Sequence, residues 1–366
     1  MKILLIEPYY TGSHKKWAEG FKKYSSHHVK ILSMKGQFWK WRMHGGAVTL
    51  AKMFNNMDWK PDLILSTDML DLTTFLALTR AKSNGIPTAI YFHENQISYP
   101  WSPEDRDILA KRDNHYGFIN YASALSADKV FFNSNFHMKI FLNDLKPFLK
   151  NFPDNNETDT IEEIKNKSDV LDLGLDFSNF KSTSSQKTDT PTILWNHRWE
   201  YDKNPELFFD VMKKIKDKEI DFNLIIIGES FGNSPKIFEQ AKIEFEKHII
   251  KWGYQRSIND YIDCLFMSDI IPVTSNHDFF GISVMEAVFC NVWPILPDRL
   301  SYRELFKNKG HIENIYTNDN QLITKIEAAI KNIHQIRNQA LKKVAQKYDW
   351  KRLARVYDSE IEKIIK

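Results

Sequence analysis

The sequence has few cysteines and no long apolar stretch. Among 366 residues only Cys264 and Cys290 are cysteines, and no Cys-x-x-Cys pair occurs. This usage suits a reduced cytoplasm and argues against a structural zinc site. No run approaches the ~18–20 apolar residues of a membrane helix. The opening MKILLIEPYY has only a short apolar run, interrupted by Glu7 and Pro8, so we expect a buried strand rather than a signal peptide.

Acidic residues are scarce in the first sixty positions. This segment holds eleven Lys or Arg against three Asp or Glu, a net charge of +8, which leaves −5 for the remainder of a chain whose total is +3. A basic N-terminal segment favours a polyanionic partner. Solvated helix faces in a lysine-rich protein explain the charge alone equally well.

The rest of the pattern is an alternation of short apolar runs with longer amphipathic ones, which predicts a βαβ series and a parallel, doubly wound sheet. In the first half the predicted strands are MKILLIE, HHVKILSM, DLILST, PTAIYFHE and KVFFNS. A second series follows, with predicted strands TILWNHR, FNLIIIGES, HIIKWGY, DIIPVTS and VWPILP. The sequence therefore predicts two α/β domains of similar size, with residues 151–169 as a mobile loop in the first.

Ligands of such sheets bind at the carboxyl ends of the strands, and with two sheets the natural place is the cleft between them. Asp278 follows the predicted strand DIIPVTS, Gly281 permits a tight turn, and a helix is expected from about Ile282. The free amides of a helix start attract phosphate. Glu286 lies early on that helix, where a carboxylate can accept hydrogen bonds from sugar hydroxyls. A nucleotide-sugar has groups for all of these features.

Three further clusters follow strands. In LWNHRWEYDKNP, Arg198 and Lys203 place two cations at the mouth of the second sheet, where they can neutralise a diphosphate leaving group without a metal; surface ion pairs are the alternative. Gly12 and Ser13 follow the first strand and can let a phosphate or sugar approach the backbone. In YFHENQISYP, four hydrogen-bonding side chains close a strand and favour a polyhydroxyl ligand; they are His93, Glu94, Asn95 and Gln96.

Together these clusters resemble the retaining glycosyltransferases of family 4, which have the GT-B fold of two facing Rossmann-like domains. The resemblance implies an N-terminal acceptor-side domain at residues 1–176, a linker at 177–190, a nucleotide-sugar-binding domain at 191–347, and a C-terminal helix at 348–366 that crosses back to the first domain. This chain has Asp278 where that family usually has Glu.

A narrower resemblance is carried by HENQISYP, QFWKWRMHG, LWNHRWEYDKNP and HDFFGISVMEAV. These motifs are similar, in order, to those of the tRNA-queuosine mannosyltransferase family, including the Asp in place of Glu. That family transfers mannose from GDP-mannose to the cyclopentenediol of queuosine in the anticodon of an aspartate tRNA, with no divalent metal. The resemblance implies a cytoplasmic enzyme with a nucleotide-sugar donor, a tRNA acceptor, no cofactor and no stable membrane insertion. It does not imply an oligomeric state.

By position, the resemblance implies a role for each candidate residue. Those expected to act in catalysis are His93 on the transferred sugar, Asp278, Arg198 and Lys203. Those expected to bind the nucleotide-sugar are Gly12, Ser13, Arg198, Lys203, Gly253, Tyr254, Phe280, Gly281, Ile282 and Glu286, with Gly253 and Tyr254 at the base and Glu286 at the ribose.

The acceptor is expected at QFWKWRMHG and at the polar strand end. Aromatic faces stack on unpaired bases and cations hold phosphates, which makes Trp39, Trp41 and Arg42 candidates beside Glu94, Asn95 and Gln96. Alternatively, FWKWRM is a strand with both Trp on one buried face. Two other functions remain open: a family-4 transferase with a lipid or polysaccharide acceptor, and a non-catalytic tRNA-binding protein on a transferase scaffold.

Overall fold

The computed structural model describes residues 1–101, 115–181, 187–230, 234–307 and 310–365. The chain forms two compact units. One contains residues 1–176 together with the C-terminal residues from Tyr348 onward, and the other contains Phe177–Lys347. Within the described ranges, no helix combines the length and apolar character that crossing a bilayer requires.

The first unit is built on a six-stranded parallel sheet in the order β2-β1-β3-β4-β5-β6. Its strands β3 and β4 are buried along their whole length, as expected for a parallel sheet covered on both faces. Its described elements are β1 Lys2–Tyr10, α1 Gly12–Tyr24, β2 His28–Lys35, α2 Trp39–Asn55, β3 Leu63–Thr67, α3 Leu72–Ser83, β4 Thr88–Phe92, α4 His115–Ser126, β5 Lys129–Phe132, α5 Asn135–Leu149, α6 Thr160–Asn166 and β6 Ser168–Val170, with α15 Trp350–Ile365 after the second unit.

The second unit has its own six-stranded parallel sheet, in the order β12-β11-β10-β7-β8-β9. The predicted doubly wound α/β class is thus confirmed for both halves. The described elements are β7 Thr192–Trp195, α7 Pro205–Lys216, β8 Asn223–Ile226, α8 Ile237–Glu244, β9 Ile249–Trp252, α9 Ile258–Met267, β10 Ile270–Pro272, α10 Ile282–Phe289, β11 Trp293–Pro297, α11 Tyr302–Leu305, β12 Ile315–Tyr316, α12 Asp319–Lys331, α13 Ile333–Arg337 and α14 Lys342–Gln346.

The C-terminal helix α15 packs within the first unit. Its first residue, Trp350, is fully buried, and a Cβ at Gly20 or Gly174 would come within 2.0 and 2.3 Å of its ring. Trp350 N also donates to Leu175 O at 2.9 Å. Glycine at these two positions is therefore what allows the indole to lie against the backbone.

Some local predictions are wrong. The segment 39–44 is the start of α2 rather than a strand, so both Trp do not share one pleated face. The segment 151–169, expected to be a mobile loop, contains α6 and part of β6. Within the predicted linker, Phe177 and Phe180 are buried, and Phe177 stacks on Phe289 at 4.0 Å between ring centroids. Residues 182–186 of that linker lie outside the described residues.

Candidate active site

In the second unit, the ammonium of Lys203 is held just before α7. A turn of 3-10 helix at Tyr201–Lys203 is followed by Asn204, whose side chain caps α7, and by Pro205 at the first helical position. Both residue types favour a helix start. Lys203 Nζ donates to His277 O at 2.7 Å and lies 2.9 Å from Asp202 Oδ2 and 3.9 Å from Asp278 Oδ2. Lys203 thus connects the segment that follows β7 with the loop after β10.

Arg198 is held much more loosely. Its guanidinium lies 3.2 Å from Glu200 Oε2, and its side chain is 46% exposed. Burial raises the pKa of the Asp202 carboxyl, whereas the charges of Lys203 and Arg198 lower it. The net shift of this pKa is downward. The two cations predicted to lie at one mouth therefore do act on a common neighbour.

The loop after β10 fixes Asp278 by its own backbone and by a distant tyrosine. Phe280 N donates to Asp278 Oδ1 at 3.2 Å, and Tyr302 Oη donates to Asp278 Oδ2 at 3.2 Å. The ring of Tyr302 also lies 3.0 Å from where a Cβ on Gly281 would stand, and Gly281 has φ +94°. Gly281 is required there on both counts.

Helix α10 starts after Gly281, with Ile282 as its first residue. The first amides of a helix have no partner inside it, and the dipole adds partial positive charge there. The predicted anion-binding amides are therefore at a helix start. The amide of Phe280 is already bonded to Asp278, which leaves Gly281 and Ile282 as the better-placed members of the predicted three.

Glu286 lies one turn further along α10 and is buried, at 6% exposure. Its Oε2 accepts from Tyr261 Oη at 2.6 Å, and Asn196 Nδ2 donates to that hydroxyl at 3.3 Å and to Ser283 O at 2.9 Å. Burial and the neighbouring carboxylate raise the pKa of Tyr261 well above its ordinary value. Tyr261 thus stays a hydrogen-bond donor that orients Glu286.

Two neutral histidines surround Lys203. Burial, followed by the charge of Lys203, lowers the pKa of both His197 and His277 to about 4. His197 Nδ1 lies 2.8 Å from Ser283 Oγ. At neutral pH both rings are uncharged, so they add no charge to that of Lys203 and Arg198.

The residues expected at the base follow β9. Gly253 has φ +88°, donates to Ile226 O at 2.8 Å, and has open space where a Cβ would stand. Tyr254 is 62% exposed. The structure thus places an open backbone position and an accessible ring beside each other at the carboxyl end of β9.

In the first unit, β1 and α1 together carry a buried charge pair. Gly12 has φ +50° and begins α1 with Ser13, which is exposed. His14 Nδ1 lies 3.0 Å from Oε2 of the fully buried Glu7. Burial alone lowers the pKa of His14, but Glu7, with smaller contributions from Asp68 and Glu94, raises it to about 9. His14 is therefore an imidazolium at neutral pH.

His93 closes β4 beside this pair. Its backbone amide donates to Asp68 Oδ1 at 2.7 Å, and its ring centroid lies 4.3 Å from that of His14 and 4.7 Å from that of Trp17. Both ring nitrogens are buried without a hydrogen-bond partner among the described residues. Burial, then the charge of His14, holds its pKa well below the ordinary value, so the neutral ring has one donor and one acceptor to offer to a ligand.

The three residues after His93 serve local structure in part. Asn95 is fully buried, and its Oδ1 accepts from the amides of Ile97 and Ser98 at 3.1 and 2.9 Å. Gln96 Nε2 donates to Glu94 Oε1 at 3.0 Å. The Asn95 oxygen therefore folds the turn after β4.

The predicted acceptor residues on α2 differ in accessibility. Trp41 is 63% exposed, whereas Trp39 is half-buried and its ring centroid lies 5.2 Å from that of Tyr116. Arg42 is half-buried and its Nε donates to Lys35 O at 3.0 Å. Of the three, Trp41 is the residue whose side chain is most open to a ligand.

Glu7, His14 and His93 each place one potential metal-ligand atom within 4.8 Å of the others. Protonated imidazole has no lone pair for a cation, and the pKa of His14 is raised to about 9. Metal ligation requires the deprotonated ring. A metal ion bound here would therefore have to displace the proton of His14.

Sequence reasoning did not single out several residues of these groups. Asp202 stands next to Lys203 in the motif, so a search for the counter-charge of that cation could have found it. His197 stands next to Arg198, but an uncharged ring gives no such signal. Tyr261 and Tyr302 reach Glu286 and Asp278 from other elements, and no local sequence signal points to that.

Comparisons with known proteins agree with the fold. The family model described as tRNA-queuosine alpha-mannosyltransferase N-terminal matches residues 2–175, and that described as Glycosyl transferases group 1 matches residues 176–348. The tRNA-queuosine alpha-mannosyltransferase of Drosophila melanogaster is 33% identical over 334 residues, covering 88% of this chain and 85% of that protein.

Solved structures are similar over the whole chain. A sucrose-phosphate synthase from Thermosynechococcus elongatus aligns with a TM-score of 0.74 at 13% identity, covering 100% of this chain and 99% of that one. HepE from Anabaena, solved with UDP, aligns with a TM-score of 0.68 at 15% identity, covering 99% and 100%. These likenesses confirm the predicted GT-B fold class.

Proposed function

The chain belongs to the tRNA-queuosine alpha-mannosyltransferase family and is a glycosyltransferase, and from this we propose that it transfers mannose from GDP-mannose to queuosine in the anticodon of an aspartate tRNA. The first domain's match to that family's own N-terminal model supports the acceptor class. The match of the second unit to group 1 glycosyltransferases supports a nucleotide-sugar donor.

The observation that carries the proposal is the charge arrangement of the second unit. Lys203 and Arg198 share the buried Asp202 as neighbour, and Lys203 is bonded to the loop that leads into α10. We propose that the diphosphate of the donor lies against these two cations and the start of α10. Fixed cations and helix amides aimed at a leaving group stabilise the charge that develops on it.

The proposed reaction retains the configuration of the sugar. The bond between the mannosyl C1 and the diphosphate oxygen breaks, and positive charge develops on the sugar ring. A hydroxyl of the queuosine cyclopentenediol attacks C1 from the face that the diphosphate leaves, and a phosphate oxygen of the departing GDP takes the hydroxyl proton. No enzyme nucleophile is needed, so the roles of Asp278 and Glu286 are to bind hydroxyls of the mannose and the ribose.

Within the first unit, we propose that the neutral ring nitrogens of His93 hydrogen-bond sugar hydroxyls and that Gly12 with Ser13 accept a phosphate close to the backbone. We propose that the reaction needs no cofactor or metal, because the two cations and the helix start supply the charge that a divalent ion supplies elsewhere.

The donor is tested by isothermal calorimetry and product release with matched nucleotide-sugars. GDP-mannose should support tRNA-dependent release of its nucleoside diphosphate, GDP, whereas UDP-glucose and GDP-glucose should support little release of UDP or GDP. Arg198→Lys is the matched control, since it keeps the charge and loses the planar fork. Release with UDP-glucose but not GDP-mannose would contradict the proposed donor.

The rival acceptor is a lipid or polysaccharide, which would use the same donor residues. Queuosine-containing tRNA and tRNA that lacks queuosine separate the possibilities when both are offered with the same donor. Transfer that depends on queuosine supports the proposal, and equal transfer to a lipid or glycan in the absence of tRNA contradicts it.

A further inference from the structure

We propose that Phe38 and Trp41, at the start of α2, are the side chains that stack on unpaired bases of the acceptor tRNA, an inference that rests on the proposed function. It replaces Trp39 by Phe38 among the residues expected at the acceptor. It also gives each neighbouring residue a separate role, either as stacking surface or as support.

Phe38 is exposed at a strained backbone position. Its side chain is 76% exposed, and its φ of 53° and ψ of 59° lie in the left-handed region that residues other than glycine seldom adopt. An apolar ring in such a conformation gains nothing visible for the fold. Strained residues of this kind are concentrated at ligand-binding positions.

Trp41 lies three residues further, in the first turn of α2. It is 63% exposed, and a Cβ at Gly45 would lie 2.6 Å from Trp41 Cζ2. The absence of a side chain at Gly45 therefore lets the indole lie along the helix surface. In that orientation the indole lies against Gly45 while most of its surface stays accessible to a base.

Trp39 and Lys40, between Phe38 and Trp41 in the sequence, contact other aromatic rings of the first unit. Trp39 belongs to a small cluster with Met43, Met69 and Tyr116. Lys40 Nζ lies 5.5 Å from the ring centroid of Trp39 and 5.4 Å from that of Trp101. Cation–π contacts hold the Lys40 ammonium between the two rings, a position in which it can bind a phosphate.

The charge around the pair favours a polyanion with exposed bases. Residues 20–57 contain seven Lys or Arg and no Asp or Glu, and Lys35, Lys40 and Arg42 flank Phe38 directly. Aromatic side chains interleaved with cations fit single-stranded nucleic acid, because rings stack on bases while cations hold the backbone. An anticodon loop presents both, whereas a fully paired stem hides its base faces.

The left-handed backbone of Phe38 provides an unusually clean test. Glycine adopts this conformation without strain, so Phe38→Gly should keep or raise the melting temperature while removing the ring. We expect Phe38→Gly and Trp41→Ala each to weaken binding of an anticodon stem–loop RNA by about tenfold or more. The measurement is fluorescence anisotropy with the full-length protein, with a blunt duplex of the same stem as the second RNA.

The matched controls lie on the same helix. Val48 is 55% exposed further along α2, and Val48→Ala should bind the stem–loop as the unaltered protein does. Trp41→Phe should retain most of the affinity, because a ring remains to stack. Duplex binding should be weak and little changed in all variants.

Three outcomes would overturn the inference. Stem–loop affinity that is unchanged in Phe38→Gly and Trp41→Ala would refute the stacking role, while tRNA modification by the unaltered protein would leave the proposed function standing. If Phe38→Gly and Trp41→Ala lose binding to phosphatidylcholine–phosphatidylserine vesicles while their RNA binding is unaffected, the pair would be assigned to a membrane surface. Absence of any RNA binding by the unaltered protein would refute the proposed function itself.

Discussion

Replacing Lys203 by alanine should destabilise the second unit far more than replacing Arg198. Lys203 Nζ lies 2.9 Å from Asp202, whose side chain is fully buried, and only 10% of the Lys203 side chain is exposed. Its removal leaves a buried carboxylate whose remaining cationic neighbour, Arg198, is largely exposed. Breaking a buried pair in this way costs about 3–5 kcal/mol.

Arg198 offers the matched comparison. Its side chain is 46% exposed and its partner is Glu200, and such pairs contribute ~0–1 kcal/mol. Both variants should lose turnover by about 10²-fold, since each removes a cation proposed to stabilise the leaving group. Only Lys203→Ala should also lower the free energy of local unfolding in the second unit.

Native-state hydrogen exchange measures this difference where it arises, because it reports the free energy of local opening. Amides of α7 and of residues 270–281 should exchange faster in Lys203→Ala and almost unchanged in Arg198→Ala. Adding Asp202→Asn to Lys203→Ala should recover at least ~2 kcal/mol, because the stranded charge is gone. Equal protection in the two single variants, or no recovery in the double variant, would refute the reasoning.

Three further predictions concern the acids, the buried histidine and the metal. Asp278→Asn should lower turnover more than GDP affinity, whereas Glu286→Gln should lower both. GDP affinity is measured by calorimetry and turnover by rate measurements. Equal loss of GDP affinity in the two variants would refute the placement of Asp278 at the mannose and Glu286 at the ribose. In Glu7→Gln the pKa of His14 should fall from about 9 towards or below its ordinary ~6.5. The stability that the charged pair contributes is complete below pH ~6.5 and is lost as the pH rises through about 9. Only the unaltered protein should therefore lose stability as the pH approaches 9. An NMR titration in which the midpoint of His14 is the same in Glu7→Gln and in the unaltered protein would contradict this prediction. Activity should survive EDTA, and loss that magnesium or manganese reverses would argue against metal-free transfer.

Much of the fold could be predicted because parallel strands buried on both faces leave a strong local signal. The runs DLILST and PTAIYFHE contain β3 and β4, and polar residues placed directly after strands must lie at the carboxyl edge of the sheet. That topological rule identified Asp278, Arg198 and Lys203 as candidate site residues from the sequence alone.

What could not be predicted depends on backbone conformation and on distant partners. Periodicity does not reveal that Phe38 is left-handed and that α2 starts immediately after it, so FWKWRM was compatible with a strand. The Asn95 carbonyl folds a turn rather than facing a ligand because two amides lie within its reach. Tyr302 reaches Asp278 from a different element, across 24 residues of sequence.

The central claim is tested most directly by mass spectrometry of the nucleosides from queuosine-containing tRNA after incubation with the protein and GDP-mannose. The account predicts that queuosine gains the mass of one hexose, only when both donor and active protein are present, and that Arg198→Ala abolishes most of the gain. Unchanged queuosine, in a preparation that releases GDP from GDP-mannose with another acceptor, would contradict it.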